Sequence, residues 1–208
     1  MEFSEDYMET FIHSRNDLLL EMERFAKEHH IPIMKLAAID VLLQLLRIQK
    51  PERILEIGTA IGYSAIRMAE AVPNSKIVTI ERDAERVELA RKFIQQSEVA
   101  SRITMIEGDA LEVEISELRF DALFIDAAKG QNKRFFEKFS PLVPKGGVIY
   151  IDNMYMQGLS NLDLSDVPRR KRTMIRNLKE FTEWISIHPD YHSTFVPVGD
   201  GLLICLKR

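Results

Sequence analysis

From Arg53 onward the chain alternates short apolar runs with stretches of helical periodicity, and this alternation constrains the fold more than any other feature. The runs cover Arg53–Ile57, 76–80, 103–106, 121–125 and Val148–Ile151, and helical patterns over 65–71, Ala84–Gln96 and Asn132–Phe139 lie between them. Strands that alternate with helices are joined by right-handed crossovers, so the pattern predicts an α/β fold with a parallel, doubly wound sheet. The tail departs from it. Strand-like residues 194–197, the turn Gly199-Asp200-Gly201 and residues 202–206 read as a hairpin, which predicts an antiparallel edge to the sheet.

Ahead of this core, Leu18, Leu19, Met22, Phe25 and Ala26 recur at helical spacing until His29-His30-Ile31-Pro32 breaks the pattern. A second helix over about residues 35–48 repeats Leu36, Ile39, Leu42, Leu43 and Leu46 on one face before Pro51 stops it. The two are expected to form a helical cap (residues 1–50) on the core (51–208) of a single domain. With 208 residues and 46% hydrophobic content the chain can bury one substantial core.

A net charge of −4 gives no global attraction to nucleic acid, so any such affinity must come from a local basic patch. The single cysteine, Cys205, excludes a disulfide framework and a multi-cysteine zinc site. The acidic opening MEFSEDY lacks the pattern of a signal peptide, and no apolar run is long enough to span a bilayer. A cytoplasmic protein with no membrane partner is expected.

Gly58 and Gly62 fall in the turn after the first strand, where a missing Cβ lets a ligand approach the backbone. Gly62-Tyr63-Ser64 lacks the lysine of a phosphate-binding loop, and glycines four apart do not match the dinucleotide fingerprint. Glu56, two residues before Gly58, would repel a pyrophosphate but suits a ligand with an amino group, such as S-adenosylmethionine. Glu81 ends the second strand where doubly wound folds grip ribose hydroxyls. Glu107-Gly108-Asp109-Ala110, after the third, puts a carboxylate or backbone group in reach of an adenine amine. Taken singly, Glu56 and Asp109 read equally well as exposed loop acids.

Asp126 ends the fourth strand and Asp152-Asn153 the fifth. If those strands are neighbours, their carboxyl ends gather these oxygen donors beside the glycine turn. Such a set suits Mg²⁺, and without His or Cys it does not suit zinc. Each aspartate alone reads as a helix cap. Lys129, three residues after Asp126, points to the same crevice. Beside a divalent cation a lysine is eased toward its neutral form and can take a proton from a hydroxyl; its plain alternative is a solvated lysine.

Together EIGTAIGYS (56–64), Glu81, Gly108-Asp109-Ala110, IDAAK (125–129) and Ile151-Asp152-Asn153 resemble the cation-dependent O-methyltransferases of the catechol and caffeoyl-CoA type. The resemblance spans nearly the whole chain. It implies a Rossmann-like, mostly parallel seven-stranded sheet and the cofactors S-adenosylmethionine and Mg²⁺. It implies Asp126, Asp152 and Asn153 as metal ligands, Lys129 as catalytic base, and Asp126 at the cofactor and reacting centre as well. Met34, Glu56, Gly58, Tyr63, Ser64, Glu81, Asp109 and Ala110 would line the cofactor; by periodicity alone Met34 is a core residue. A homodimer is implied, with the apolar N-terminal helices as an available interface.

Within that family, HHIPIM (29–34), AIGYSAIRM (60–68), AAKGQ (127–131), HPDY (188–191) and PVGDG (197–201) resemble the bacterial branch that methylates 5-hydroxyuridine at the tRNA wobble position. A tRNA anticodon loop is then the expected partner, with Arg169, Arg170, Lys171 and Arg172 as its phosphate contacts. The same basic run reads as the solvated start of a helix with Ile175, Leu178, Phe181 and Ile185 on its apolar face. A small hydroxylated aromatic acceptor is the alternative, and a nicotinamide-dependent oxidoreductase a more distant one.

Overall fold

A computed structural model describes residues 7, 9–116 and 119–208; the acidic opening residues 1–6 lie outside the described residues. Strands β1 (Arg53–Ile57), β2 (Lys76–Glu81), β3 (Ile103–Glu107), β4 (Ala122–Ile125), β5 (Val148–Ile151), β6 (Tyr191–Val196) and β7 (Leu202–Lys207) form a seven-stranded sheet in the order β3-β2-β1-β4-β5-β7-β6. β1 to β5 pair in parallel and β7 is antiparallel to both neighbours. The expected doubly wound sheet with an antiparallel edge is therefore present. β1, β4 and β5 are buried almost throughout, as strands covered by helices on both faces must be.

On one face pack α1 (Asp17–Glu28), α2 (Leu36–Gln49), α3 (Tyr63–Ala71) and α4 (Ala84–Gln96); on the other, α5 (Asn132–Phe139) and α6 (Arg172–Ser186). Leu19, Met22 and Ala26 of α1 and Leu42, Leu43 and Leu46 of α2 are buried in the first layer. These residues of the two N-terminal helices are taken up by the protein's own core, while Leu20 and Ile48 of the same helices stay exposed. In the second layer Phe136 lies 5.8 Å from Phe181, 5.6 Å from Trp184 and 4.9 Å from Tyr191, ring centre to ring centre, joining α5, α6 and β6. Phe181, on the apolar face expected of that helix, and Trp184 beside it are packing residues.

Strand order reverses between β2-β1 and β4-β5, so helices leave in opposite directions and a crevice opens at the carboxyl ends of β1 and β4. Among the described residues no helix is long and apolar enough to cross a membrane. Phe136→Ala should cost about 3–5 kcal/mol by leaving a cavity inside the aromatic cluster. Urea unfolding followed by Trp184 fluorescence would read this as a lower midpoint with an unchanged slope.

Candidate active site

Gly58 is the hinge of the crevice. Its φ of +101° is left-handed, and a Cβ there would collide with the backbone carbonyl of Asp126. Asp126 N donates to Ile57 O at 2.9 Å, so the first and fourth strands deliver the glycine turn and the aspartate to one point. The turn ends at Gly62 (φ +88°), which caps α3 in the left-handed region and packs on Ile94. A cavity of about 330 Å³ opens here, bounded by Gly58, Glu81, Asp109, Ala110, Asp126 and Lys129. That volume lies at the lower end for small-molecule sites.

Glu81 is held in place by three backbone amides. One carboxylate oxygen accepts from Ala60 N at 2.9 Å, and the other from the amides of Arg82 and Asp83 at 3.0 Å each. It is 8% exposed and retains acceptor capacity toward the cavity, as a ribose diol requires. Asp109 accepts from Leu111 N at 2.9 Å and from the Arg82 guanidinium at 3.2 Å, which hold its carboxyl below the usual range.

Four further residues expected at the cofactor, Met34, Glu56, Tyr63 and Ser64, do not border this cavity directly. Glu56 is fully buried and accepts from Ser64 Oγ and Thr79 Oγ1 at 2.5 Å each. Burial pushes its carboxyl up to about 7 against the pull of those hydroxyls. Ser64 is thereby turned to Glu56, while Tyr63 points to the N-terminal cap and donates to Glu23 Oε1 at 2.6 Å. Met34 is 4% exposed, and its neighbours Pro32 and Ile33 form the wall. Burial decides these placements, and residue type alone does not report it. Pro32, Ile33, Ala60 and Ala128 reach the cavity from within quoted motifs without having been singled out, and Arg82 and Arg86 reach it from outside any of them.

The expected metal donors do converge. Asn153, in the left-handed region at φ +63°, places its side-chain amide 3.0 Å from Asp126 Oδ1 and 2.8 Å from Asp152 Oδ2. Asp152 is 3% exposed, and its Oδ1 is buried without a hydrogen-bond partner. Burial and the neighbouring Asp126 charge raise the Asp152 carboxyl above its ordinary range. Among the described residues no three His, Cys, Asp or Glu side chains cluster, so the set is two carboxylates and an amide. An amide that turns over to present its oxygen, an orphaned carboxylate oxygen and two mutually repelling acids fit a hard divalent cation. Lys129 Nζ lies 2.5 Å from Asp126 Oδ1, so the lysine belongs to the crevice and is not a solvated side chain.

The loop after Asn153 is tied down by the hairpin turn. Met154 N donates to Gly201 O at 3.0 Å, Tyr155 N to Asp200 O at 2.7 Å and Gln157 N to Asp200 Oδ1 at 2.6 Å. The basic run follows this loop as a 3-10 turn, Arg169–Lys171, leading into α6. Arg169 and Arg170 are exposed and Lys171 is half-buried. Arg172 donates to Val167 O at 2.9 Å and Ser165 O at 2.8 Å, so part of its guanidinium is engaged within the loop.

The profile of the O-methyltransferase family matches residues 8–208. The chain belongs to the O-methyltransferase family. Among its relatives, a caffeoyl-CoA O-methyltransferase of Medicago sativa is 30% identical over 215 residues, covering 96% of this chain and 86% of the relative. A Staphylococcus aureus crystal structure, provisionally assigned as a caffeoyl-CoA O-methyltransferase, superposes with a TM-score of 0.92 at 32% identity, over 98% of this chain and 99% of that one. A Bacillus cereus O-methyltransferase solved with S-adenosylhomocysteine gives 0.82 at 26% identity, over 98% and 96% of the two chains. This O-methyltransferase thus has the fold and family that its motifs resemble, and the oxidoreductase alternative falls away.

Glu56 supplies a pH prediction. Its carboxyl holds a proton up to about 7 in the folded chain but only to about 4.3 when unfolded. Between those values the unfolded state binds fewer protons, so Glu56 favours folding below about 4.3 and that contribution is lost as pH rises through 7. Glu56→Gln, which mimics the neutral acid, should remove this slope, a difference of about 3 kcal/mol across the window. Urea midpoints of both proteins between pH 4.5 and 7.5 would show it; parallel curves would contradict it.

Proposed function

We propose that this chain transfers a methyl group from S-adenosylmethionine to one of two adjacent oxygens on a small hydroxylated aromatic acceptor, with the help of a divalent cation. The observation that carries the reading is the meeting of Asp126, Asp152, Asn153 and Lys129 on the wall of the cavity that also holds the Gly58 turn and Glu81. The caffeoyl-CoA relatives favour a small acceptor.

In this reading Glu81 receives the ribose hydroxyls, and the bare backbone at Gly58 lets the cofactor lie against the strand end. Bound S-adenosylmethionine supplies a sulfonium methyl. Asp126, Asp152 and Asn153 would hold Mg²⁺, whose bound form lowers the pKa of a substrate hydroxyl and fixes its oxygen. Lys129 Nζ takes the hydroxyl proton, and Asp126 orients that amine through their 2.5 Å contact. The remaining demand is alignment of nucleophile and methyl, which a rigid crevice meets.

A second reading has one observation in its favour. Asn177 of α6 donates to Gly130 O at 3.0 Å, so the helix that begins at the basic run leans on the 3-10 turn carrying Lys129. Exposed Arg169 and Arg170 are thereby connected to the crevice by one rigid element and suit backbone phosphates. A 5-hydroxyuracil presents its hydroxyl beside the O4 carbonyl, so it offers two oxygens as a catechol does.

Mass spectrometry of parallel reactions on a catechol, caffeoyl-CoA and tRNA bearing 5-hydroxyuridine, each with S-adenosylmethionine and Mg²⁺, separates the acceptors. We expect methylated small acceptor, lost on adding chelator. Asp152→Ala should abolish turnover in a folded protein, and Lys129→Met should lower kcat by about 10²-fold or more. Full activity in chelator would refute the metal role. Modified tRNA beside untouched small molecules, weakened by charge reversal of Arg169 and Arg170, would move the function to RNA.

A further inference from the structure

Residues 31–34 cross the crevice as a thin wall. Pro32 and Ile33 border the cofactor cavity on one side and, on the other, a second cavity of about 490 Å³ lined also by Arg15, Glu23 and Tyr63. Met34 is buried in the core and Ile31 and Ile33 pack partly against it, but the second cavity leaves one side of the strap unbacked, so links across that cavity add to what sets its position. Where it begins is defined: α1 stops at Glu28, His30 turns left-handed at φ +54°, and Ile31 N donates back to Ala26 O at 2.9 Å. The strap's direction is thus the direction of α1.

α1 is tied to the glycine turn by a chain of charged hydrogen bonds through the second cavity. Arg15 grips Glu23 of α1 with both ends of its fork, at 2.9 and 3.0 Å. Tyr63, the first residue of α3 after Gly62, donates its hydroxyl to Glu23 Oε1 at 2.6 Å, and Arg67 Nη1 donates to that hydroxyl at 2.8 Å. Tyr63 and Arg67 are 2% and 7% exposed, so that end of the chain is shielded from water, where bonds to charged partners are strongest, while the Arg15–Glu23 end is partly exposed. None of these side chains borders the cofactor cavity.

We propose that the Arg15–Glu23–Tyr63–Arg67 chain is a clasp that holds the 31–34 strap against the cofactor cavity, which makes Glu23 and Tyr63 positioning residues for cofactor binding. This rests on the methyl-transfer reading above. The clasp joins the two elements that face each other across the cofactor, the glycine turn through Tyr63 and the strap through α1. Loosening it leaves the metal donors and Lys129 untouched, since those are carried by β4, β5 and their loops.

Two variants test it. Tyr63→Phe removes the bridging hydroxyl alone, and Glu23→Gln keeps an acceptor for Tyr63 while removing the charge that Arg15 grips. For each, calorimetry with S-adenosylhomocysteine should give a Kd raised about tenfold, with KM for S-adenosylmethionine raised in parallel and kcat at saturation within about twofold. Amides of residues 31–35 should exchange with deuterium faster in the ligand-free variants and regain protection at saturating S-adenosylhomocysteine, while β4 and β5 exchange as in the parent. A merely structural loss would speed exchange everywhere and leave the KM-to-kcat split unmoved. Wild-type Kd and unchanged exchange in both variants would overturn the clasp and leave the methyl-transfer reading standing. Failure of the parent protein itself to bind S-adenosylhomocysteine would overturn that reading and the clasp with it.

Discussion

Everything at the crevice depends on the absence of one carbon atom, the Cβ that Gly58 lacks. The backbone carbonyl of Asp126 occupies the place where it would stand, so β1 and β4 finish in contact and their next residues diverge around a shared space. On one side of that contact the turn runs toward Gly62 and α3. On the other, Asp126 begins the segment that carries Lys129. A side chain at position 58 would separate the glycine turn from the donor cluster, and the two halves of the crevice would no longer share a wall.

The order β3-β2-β1-β4-β5 then distributes the labour along one edge. Glu81 leaves β2, Gly58 leaves β1, Asp126 leaves β4 and Asp152 leaves β5, each at the carboxyl end of its strand. The strands are rigid and covered on both faces, so functional side chains start from fixed points and only short turns set their final direction. That division explains why backbone and neighbouring side chains can hold Glu81 and Asp126 in hydrogen-bonded positions.

Much of this was legible in the residues, and the exceptions are physical. Runs such as Arg53–Ile57 and Val148–Ile151 read correctly because a strand buried on both faces is a short block of apolar side chains bounded by turns. β6 begins at Tyr191, earlier than its apolar content signals, because His192 and Ser193 pair through their backbones with Leu206 and Cys205 whatever their side chains are. The donor cluster was readable because topology brings strand ends together. The partners of Glu56 and Tyr63 were not, because Thr79 and Glu23 come from distant elements, whereas Met34 is buried as its periodicity reads. The loop after Asn153 is a similar case, since Asn153, Met156, Gln157 and Gly158 all adopt positive φ under the hold of the Asp200 turn.

β7 follows β6 in the chain yet lies between β5 and β6 in the sheet. During synthesis β6 emerges with no strand to pair with, and it joins the sheet only once residues 202–207 arrive to bridge it to β5. The same late segment brings Gly201 and Asp200 onto the backbone that follows Asp152 and Asn153. Completion of the sheet and completion of the donor loop are therefore one event, and a chain interrupted before Leu202 carries the residues of the site without the order that makes it one.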